Sequence, residues 1–270
     1  MRSAPLSVSE IRTRLGPGWP PPGLVDAHAH AFEPEHPLAM TRDYDPEPYP
    51  IEAYRRYAAA LGVGRAVLVT SSCYGFDNSV TRAALGELGT PARGVAMIHP
   101  EIQDAELERY VAAGFVAARI LTVRPGVVGA SDFETVARRC APLGWHVEIG
   151  VRDAEEWAAL EPRLAASPVP LVFEHLGRAR GDEAVEAEGF RALLRLLEAR
   201  PEFHVKLTGE LDGMQPVLRV LSERFPEQLV WGSNLPHTRP EALLALWQWL
   251  PDAALRHKVF ADNAARLYRF

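Results

Sequence analysis

The chain has 270 residues, of which 47% are hydrophobic and 24% charged, and its net charge is −6. That balance suits a folded protein with a sizeable core and excludes a disordered chain or a nucleic-acid binder built on a basic face. No run approaches the ~20 apolar residues of a membrane span, Met1 opens a polar segment, and Cys73 and Cys140 are too few for a disulfide framework, so a cytoplasmic location is expected.

Residues 1–23 read as a proline-rich, irregular leader, because the run from Gly16 to Gly23 suits neither regular helix nor interior strand. From residue 24 to 270 short apolar runs alternate with amphipathic segments. The runs at 24–27, 66–70, 94–98, 116–121, 146–151, 169–173, 204–207 and 229–231 predict strands. The segments 51–61, 104–113, 132–142, 153–165, 186–199 and 239–250 predict helices. Strand-then-helix repetition over the whole length predicts a single α/β domain, a TIM (β/α)8 barrel. A doubly wound open sheet is the alternative, but no GxGxxG follows any strand to mark a dinucleotide site.

In a barrel the chemistry gathers at the C-terminal strand ends. The first strand ends in Asp26-Ala27-His28-Ala29-His30, and alternation puts His28 and His30 on one face. Two imidazoles there can hold a divalent metal, or polarise a carbonyl and carry a proton. The second strand leads to Ser72, Cys73 and Tyr74, the third to His99, and the fourth carries Arg119. Glu148 lies in the fifth, Glu174-His175 close the sixth, and Lys206 lies in the seventh before Gly209-Glu210. After the eighth comes Trp231-Gly232-Ser233-Asn234-Leu235-Pro236-His237.

In this order the motifs resemble the amidohydrolase superfamily, and within it the metal-sparing branch of 2-pyrone-4,6-dicarboxylate lactonase-like hydrolases. The resemblance rests on Asp26-Ala27-His28-Ala29-His30, Tyr74-Gly75-Phe76-Asp77-Asn78 and Glu174-His175-Leu176-Gly177-Arg178. It also rests on Val205-Lys206-Leu207-Thr208-Gly209, the segment 231–237 and Asp262-Asn263-Ala264-Ala265-Arg266-Leu267-Tyr268. It implies that His28, His30 and His175 polarise a scissile carbonyl. It implies that Tyr44, Ser72, Tyr74, Arg119, Lys206 and His237 meet a small-molecule substrate. It implies no metal; a zinc ion on His28, His30 and His175 is the alternative.

Two departures stand out. The strand-eight aspartate of the family's hydrolases is Asn234 here, and an amide has no basic pKa with which to deprotonate water. Asn234 can orient water or substrate. One family arginine is missing from the segment 114–119, and Glu210-Leu211-Asp212 stands where another is common. Both losses argue against a dicarboxylate. Hydrolysis of a lactone or related cyclic ester or amide is the first reading. A lyase, decarboxylase, isomerase or cyclase is the second, and a silent ligand-binding protein the third. Arg119 and Glu148 are expected to pair, Lys206 either salt-bridges inside the barrel or reaches substrate, and Cys73 has no visible base. The partner is a small molecule, with neither nucleic acid nor membrane; a homo-oligomer is left open.

Overall fold

The computed structural model describes residues 6–122, 126–209, 211–250 and 252–270. Its helices are α1 Val8–Leu15, α2 Ile51–Leu61, α3 Ser79–Glu87, α4 Asp104–Ala112, α5 Phe133–Cys140 and α6 Glu156–Ala165. They continue with α7 Glu188–Ala199, α8 Gln215–Arg224, α9 Ala242–Trp249, α10 Ala253–His257 and α11 Asn263–Leu267. The strands are β1 Val25–Ala29, β2 Arg65–Val69, β3 Ala92–Ala96, β4 Phe115–Leu121, β5 His146–Gly150, β6 Leu171–Phe173, β7 His204–Leu207 and β8 Leu229–Trp231. They pair in sequence order as one parallel sheet, the TIM barrel that the alternation predicts. Parallel strands covered on both faces read as unbroken apolar runs, and β4 is buried along its whole length.

Five helices, α1, α3, α8, α10 and α11, lie outside the expected segments. In α1, Ser7 Oγ accepts from the Glu10 amide at 3.3 Å and the Glu10 carboxylate accepts from the Ser7 amide at 2.8 Å. This capping box starts a regular helix inside the stretch read as an irregular leader. Its Ile11 and Leu15 are buried. In α8, Pro216 stands in the first turn, where a missing N–H costs nothing. α3 is short, opens on β-branched Val80 and Thr81, and contains Gly86, all of which weaken its helical signal.

The barrel closes along β1 and the segment after β8. The Asn234 amide donates to the His28 carbonyl at 2.7 Å, and the His30 amide donates to the Leu235 carbonyl at 2.9 Å. Asp26 adds a stitch: its carboxylate accepts from the Ser233 amide at 2.8 Å and from Tyr54 Oη on α2 at 3.0 Å. Gly232 permits this seam, since a Cβ there would sit 2.5 Å from the His28 Cβ. The β1–β2 register shifts between Asp26 and Ala29. The irregularity separates side chains that strict alternation would put together: Asp26 meets α2, while His28 meets Lys206 of β7 inside the barrel. Among the described residues no helix is long and apolar enough to cross a membrane.

At the other end of the barrel His146 and His204 are buried; His146 Nε2 lies 3.5 Å from a Glu148 oxygen, and His204 Nε2 has no hydrogen-bond partner among the described residues. Burial, reinforced by His146, lowers His204 from 6.5 to about 4. The folded state keeps this ring neutral, whereas the unfolded chain protonates it below its ordinary pKa. Stability is therefore lost as pH falls from 6.5 towards 4, by roughly 3 kcal/mol for this one group. Urea titrations across that window should show the loss, and His204→Asn should reduce its slope. An unchanged slope in the variant would rule this account out.

Candidate active site

A cavity of about 670 Å³ opens at the C-terminal ends of the strands. His30, Tyr44, Ser72, Arg119, His175, Asn234 and His237 all line it. His28 and Lys206 lie just beneath, fully buried. Tyr74 is not in the lining: its ring stacks on Phe32 at a centroid distance of 6.2 Å. Cys73 is buried beside Ser71, and burial raises its thiol pKa, so no thiolate is prepared there. Glu210 lies outside the described residues.

Below the cavity the interior carries a compact network of charge. Arg119 grips Glu174 with two parallel bonds, Nε and Nη2 each 2.7 Å from a carboxylate oxygen. Lys206 Nζ donates to Glu148 at 2.6 Å, and Tyr268 Oη donates to the other Glu148 oxygen at 2.7 Å. The partners thus differ from the expected Arg119–Glu148 pair. β4 and β5 are adjacent, but the Arg119 fork reaches across to Glu174 after β6, and Glu148 turns to β7. Burial works against the Glu148 charge, yet the Lys206 ammonium and His146 hold the carboxyl down at about 2. Lys206 therefore salt-bridges inside the barrel.

The three histidines sit on this network. His28 Nδ1 is 3.1 Å from Lys206 Nζ, and His28 Nε2 is 3.2 Å from His30 Nε2. His30 Nδ1 is 2.7 Å from the Val69 carbonyl. His175 Nδ1 shares a 2.8 Å bond with Thr208 Oγ1, a partner that its place in the Lys-Leu-Thr-Gly motif could have suggested. Burial, helped by Lys206 at His28, His237 at His30 and Arg178 at His175, lowers all three pKa values well below the usual imidazole range. They are neutral near neutrality, able to donate one hydrogen bond and accept another.

Asn234 has φ of 55°, a left-handed conformation that Asn and Asp tolerate best among non-glycine residues. Its Nδ2 donates to Thr238 Oγ1 at 2.8 Å, and its Oδ1 has no hydrogen bond among the described residues. Tyr44 Oη bonds Ser71 Oγ and lies 3.4 Å from His237 Nε2. Arg152, Arg178 and Arg180 also line the cavity and were not singled out from sequence. Their signal was position, just after the fifth and sixth strands. The cavity is thus richer in cations than the two missing family arginines suggest.

A metal fits the carboxylates beneath the cavity poorly. His28, Glu148 and Glu174 bring ligand atoms within 4.8 Å of one another. Both Glu174 oxygens are held by Arg119, and both Glu148 oxygens by Lys206 and Tyr268. Two acids and two bases already cancel, so a dication would add uncompensated charge to a dry interior.

The sequence matches the family described as amidohydrolase over residues 25–270. The chain belongs to the amidohydrolase family. Among curated relatives of this amidohydrolase, 2-pyrone-4,6-dicarboxylate hydrolase of Comamonas testosteroni is 32% identical, covering 92% of this chain and 90% of that one. D-galactarolactone isomerase of Agrobacterium fabrum is 29% identical, covering 97% and 98%. A ligand-free crystal structure from Agrobacterium tumefaciens superimposes with a TM-score of 0.85 at 29% identity, covering 94% of this chain and 98% of that one. Membership makes this amidohydrolase a hydrolase-like enzyme.

Removing one member of a buried ion pair strands the other charge. Arg119→Met should therefore cost roughly 3–5 kcal/mol of stability, measured by urea unfolding. Pairing it with Glu174→Leu should recover most of that loss; a single variant as stable as the parent would contradict the paired-fork account.

Proposed function

We propose that this enzyme acts on a small anionic lactone and moves the acyl group to another hydroxyl of the same molecule, isomerising the lactone ring. Asn234 carries the proposal. The carbonyl-activating side of the site is complete, with neutral His30 and His175 lining the cavity and neutral His28 directly beneath them, while the strand-eight position that would serve water holds an amide tied to Thr238. A hydroxyl of the substrate, held by the same pocket as the carbonyl, reaches it without a dedicated water site.

The substrate class follows from the lining. A volume of about 670 Å³ suits a small organic acid. Arg152 and Arg180 are exposed at the mouth, and cationic clefts concentrate anions. The relatives named for a pyrone dicarboxylate and for galactarolactone also act on lactones with acidic groups. His28 and His175 activate the carbonyl, His30 stands beside the attacking hydroxyl that Asn234 orients through Oδ1, and Ser72, Tyr44 and His237 contact the rest of the ligand. No metal takes part, in keeping with the ion-paired state of Glu148 and Glu174. Hydrolysis is the second reading, favoured by the first relative's name.

Product mass separates the two. Incubation with hydroxylated γ- and δ-lactones of sugar diacids should give ring isomers of unchanged mass, and none that carries oxygen from labelled water. A hydrolysed product formed at the same rate would establish the second reading. Asn234→Asp supplies a base in a backbone conformation that aspartate tolerates, so hydrolysis should rise on the order of 10²-fold. Dialysis against a chelator should leave the rate of the parent enzyme unchanged, and a lost rate restored by zinc would refute the metal-free reading.

A further inference from the structure

The two strand-one histidines are alike in sequence, but the groups at the ends of their hydrogen-bond chain are opposite in kind. The Val69 carbonyl only accepts, so His30 Nδ1, 2.7 Å away, must carry the hydrogen. A neutral His30 then has a bare Nε2. His28 Nε2 lies 3.2 Å from that atom, so His28 must carry its hydrogen on Nε2 and leave Nδ1 bare. The bare Nδ1 faces Lys206 Nζ at 3.1 Å, and an ammonium held by Glu148 only donates. Every bond in the chain from Lys206 to Val69 is satisfied in one sense, and reversing it would set two hydrogens against each other at Lys206 and two lone pairs against each other at Val69.

We propose that Lys206 and the Val69 carbonyl lock His28 as a fixed Nε2–H donor and His30 as a fixed Nε2 acceptor, so that the first binds the lactone oxyanion and the second takes the nucleophile's proton. This rests on the isomerase reading for its chemistry, though the proton arrangement does not. At 3.2 Å the His28–His30 contact is long and gives way to a carbonyl oxygen, which receives the His28 hydrogen and frees the His30 lone pair. A substrate hydroxyl then attacks the carbonyl carbon, and its proton passes to His30 Nε2. The carbonyl π pair moves to the oxygen bonded by His28. On collapse the carbonyl re-forms, the old ring C–O bond breaks, and the departing oxygen takes the proton back from His30. Nothing is consumed, and the base that Asn234 lacks is supplied across the cavity floor. Lys206 is a positioning residue, acting only through His28.

Long-range 1H–15N spectra of imidazole-labelled enzyme read the tautomers directly, with the two rings assigned among nine histidines by His28→Gln and His30→Gln. The expected pattern is a protonated Nε2 in His28 and a protonated Nδ1 in His30 in the unmodified protein. The reverse pattern in either ring, or a ring charged at neutral pH, overturns the proposal. Kinetics give a second readout. Glutamine keeps an N–H donor, so His28→Gln should lose about tenfold in kcat, whereas His30→Gln loses the base and should fall by ~10³-fold. Equal losses, or the opposite order, overturn the division of roles. Products heavier by one water together with the expected tautomers would sink the isomerase reading and leave the locked arrangement standing.

Discussion

Lys206 brings an ammonium group into the barrel where no solvent reaches it, and much of the site is arranged around the need to compensate that charge. Glu148 neutralises it at 2.6 Å and is itself bonded by Tyr268 from the C-terminal segment. One layer higher Arg119 and Glu174 form a second neutral pair. Isolated charges in such a place would cost several kcal/mol each, so each of these residues requires its partner. The barrel core is therefore a polar column with a defined proton arrangement, and its geometry is transmitted upward to His28.

This column also decides which chemistry the histidines can perform. A metal site needs bare nitrogens, or free carboxylates, pointing at one spot. Here the carboxylates are spent on arginine and lysine, and an ammonium faces the inner nitrogen of His28. The same contacts that disfavour a cation keep the imidazoles neutral and orient their hydrogens. Neutral, oriented rings suit the polarisation of a carbonyl in a cavity that carries several arginines.

Much of the architecture was legible because it depends on one-dimensional signals. Eight buried apolar runs gave eight strands in order, and the residues at their ends mostly meet at one cavity. What stayed hidden depends on three-dimensional choices. Alternation tells which face Arg119 uses but not that its fork crosses to Glu174, so its partner was misassigned. The irregularity in β1 reconciles Asp26 facing α2 with His28 facing Lys206, and no periodicity announces it. Tyr74 directly follows the cavity segment Ser71-Ser72 yet packs on Phe32, because its short helical turn points the ring inward to the core. Helix α1 was written in Ser7-Val8-Ser9-Glu10 and was obscured by the glycines and prolines that follow.

Asn234 stands where these constraints meet. Its backbone amide closes the barrel against His28, and its left-handed φ suits asparagine and aspartate alike, so the fold itself does not select between them. The difference is electrical. A carboxylate at this point would place a negative charge on the cavity wall beside His30 and His237, favour their protonated forms, and repel an anionic substrate. The amide keeps Thr238 as its acceptor, leaves the imidazoles neutral, and preserves the cavity's cationic lining. A site that has to hold an anion while keeping a donor and an acceptor poised three ångströms apart is better served by the neutral side chain. The same choice removes the strand-eight base that would hold and activate a water, and favours a hydroxyl that the substrate itself presents to the carbonyl.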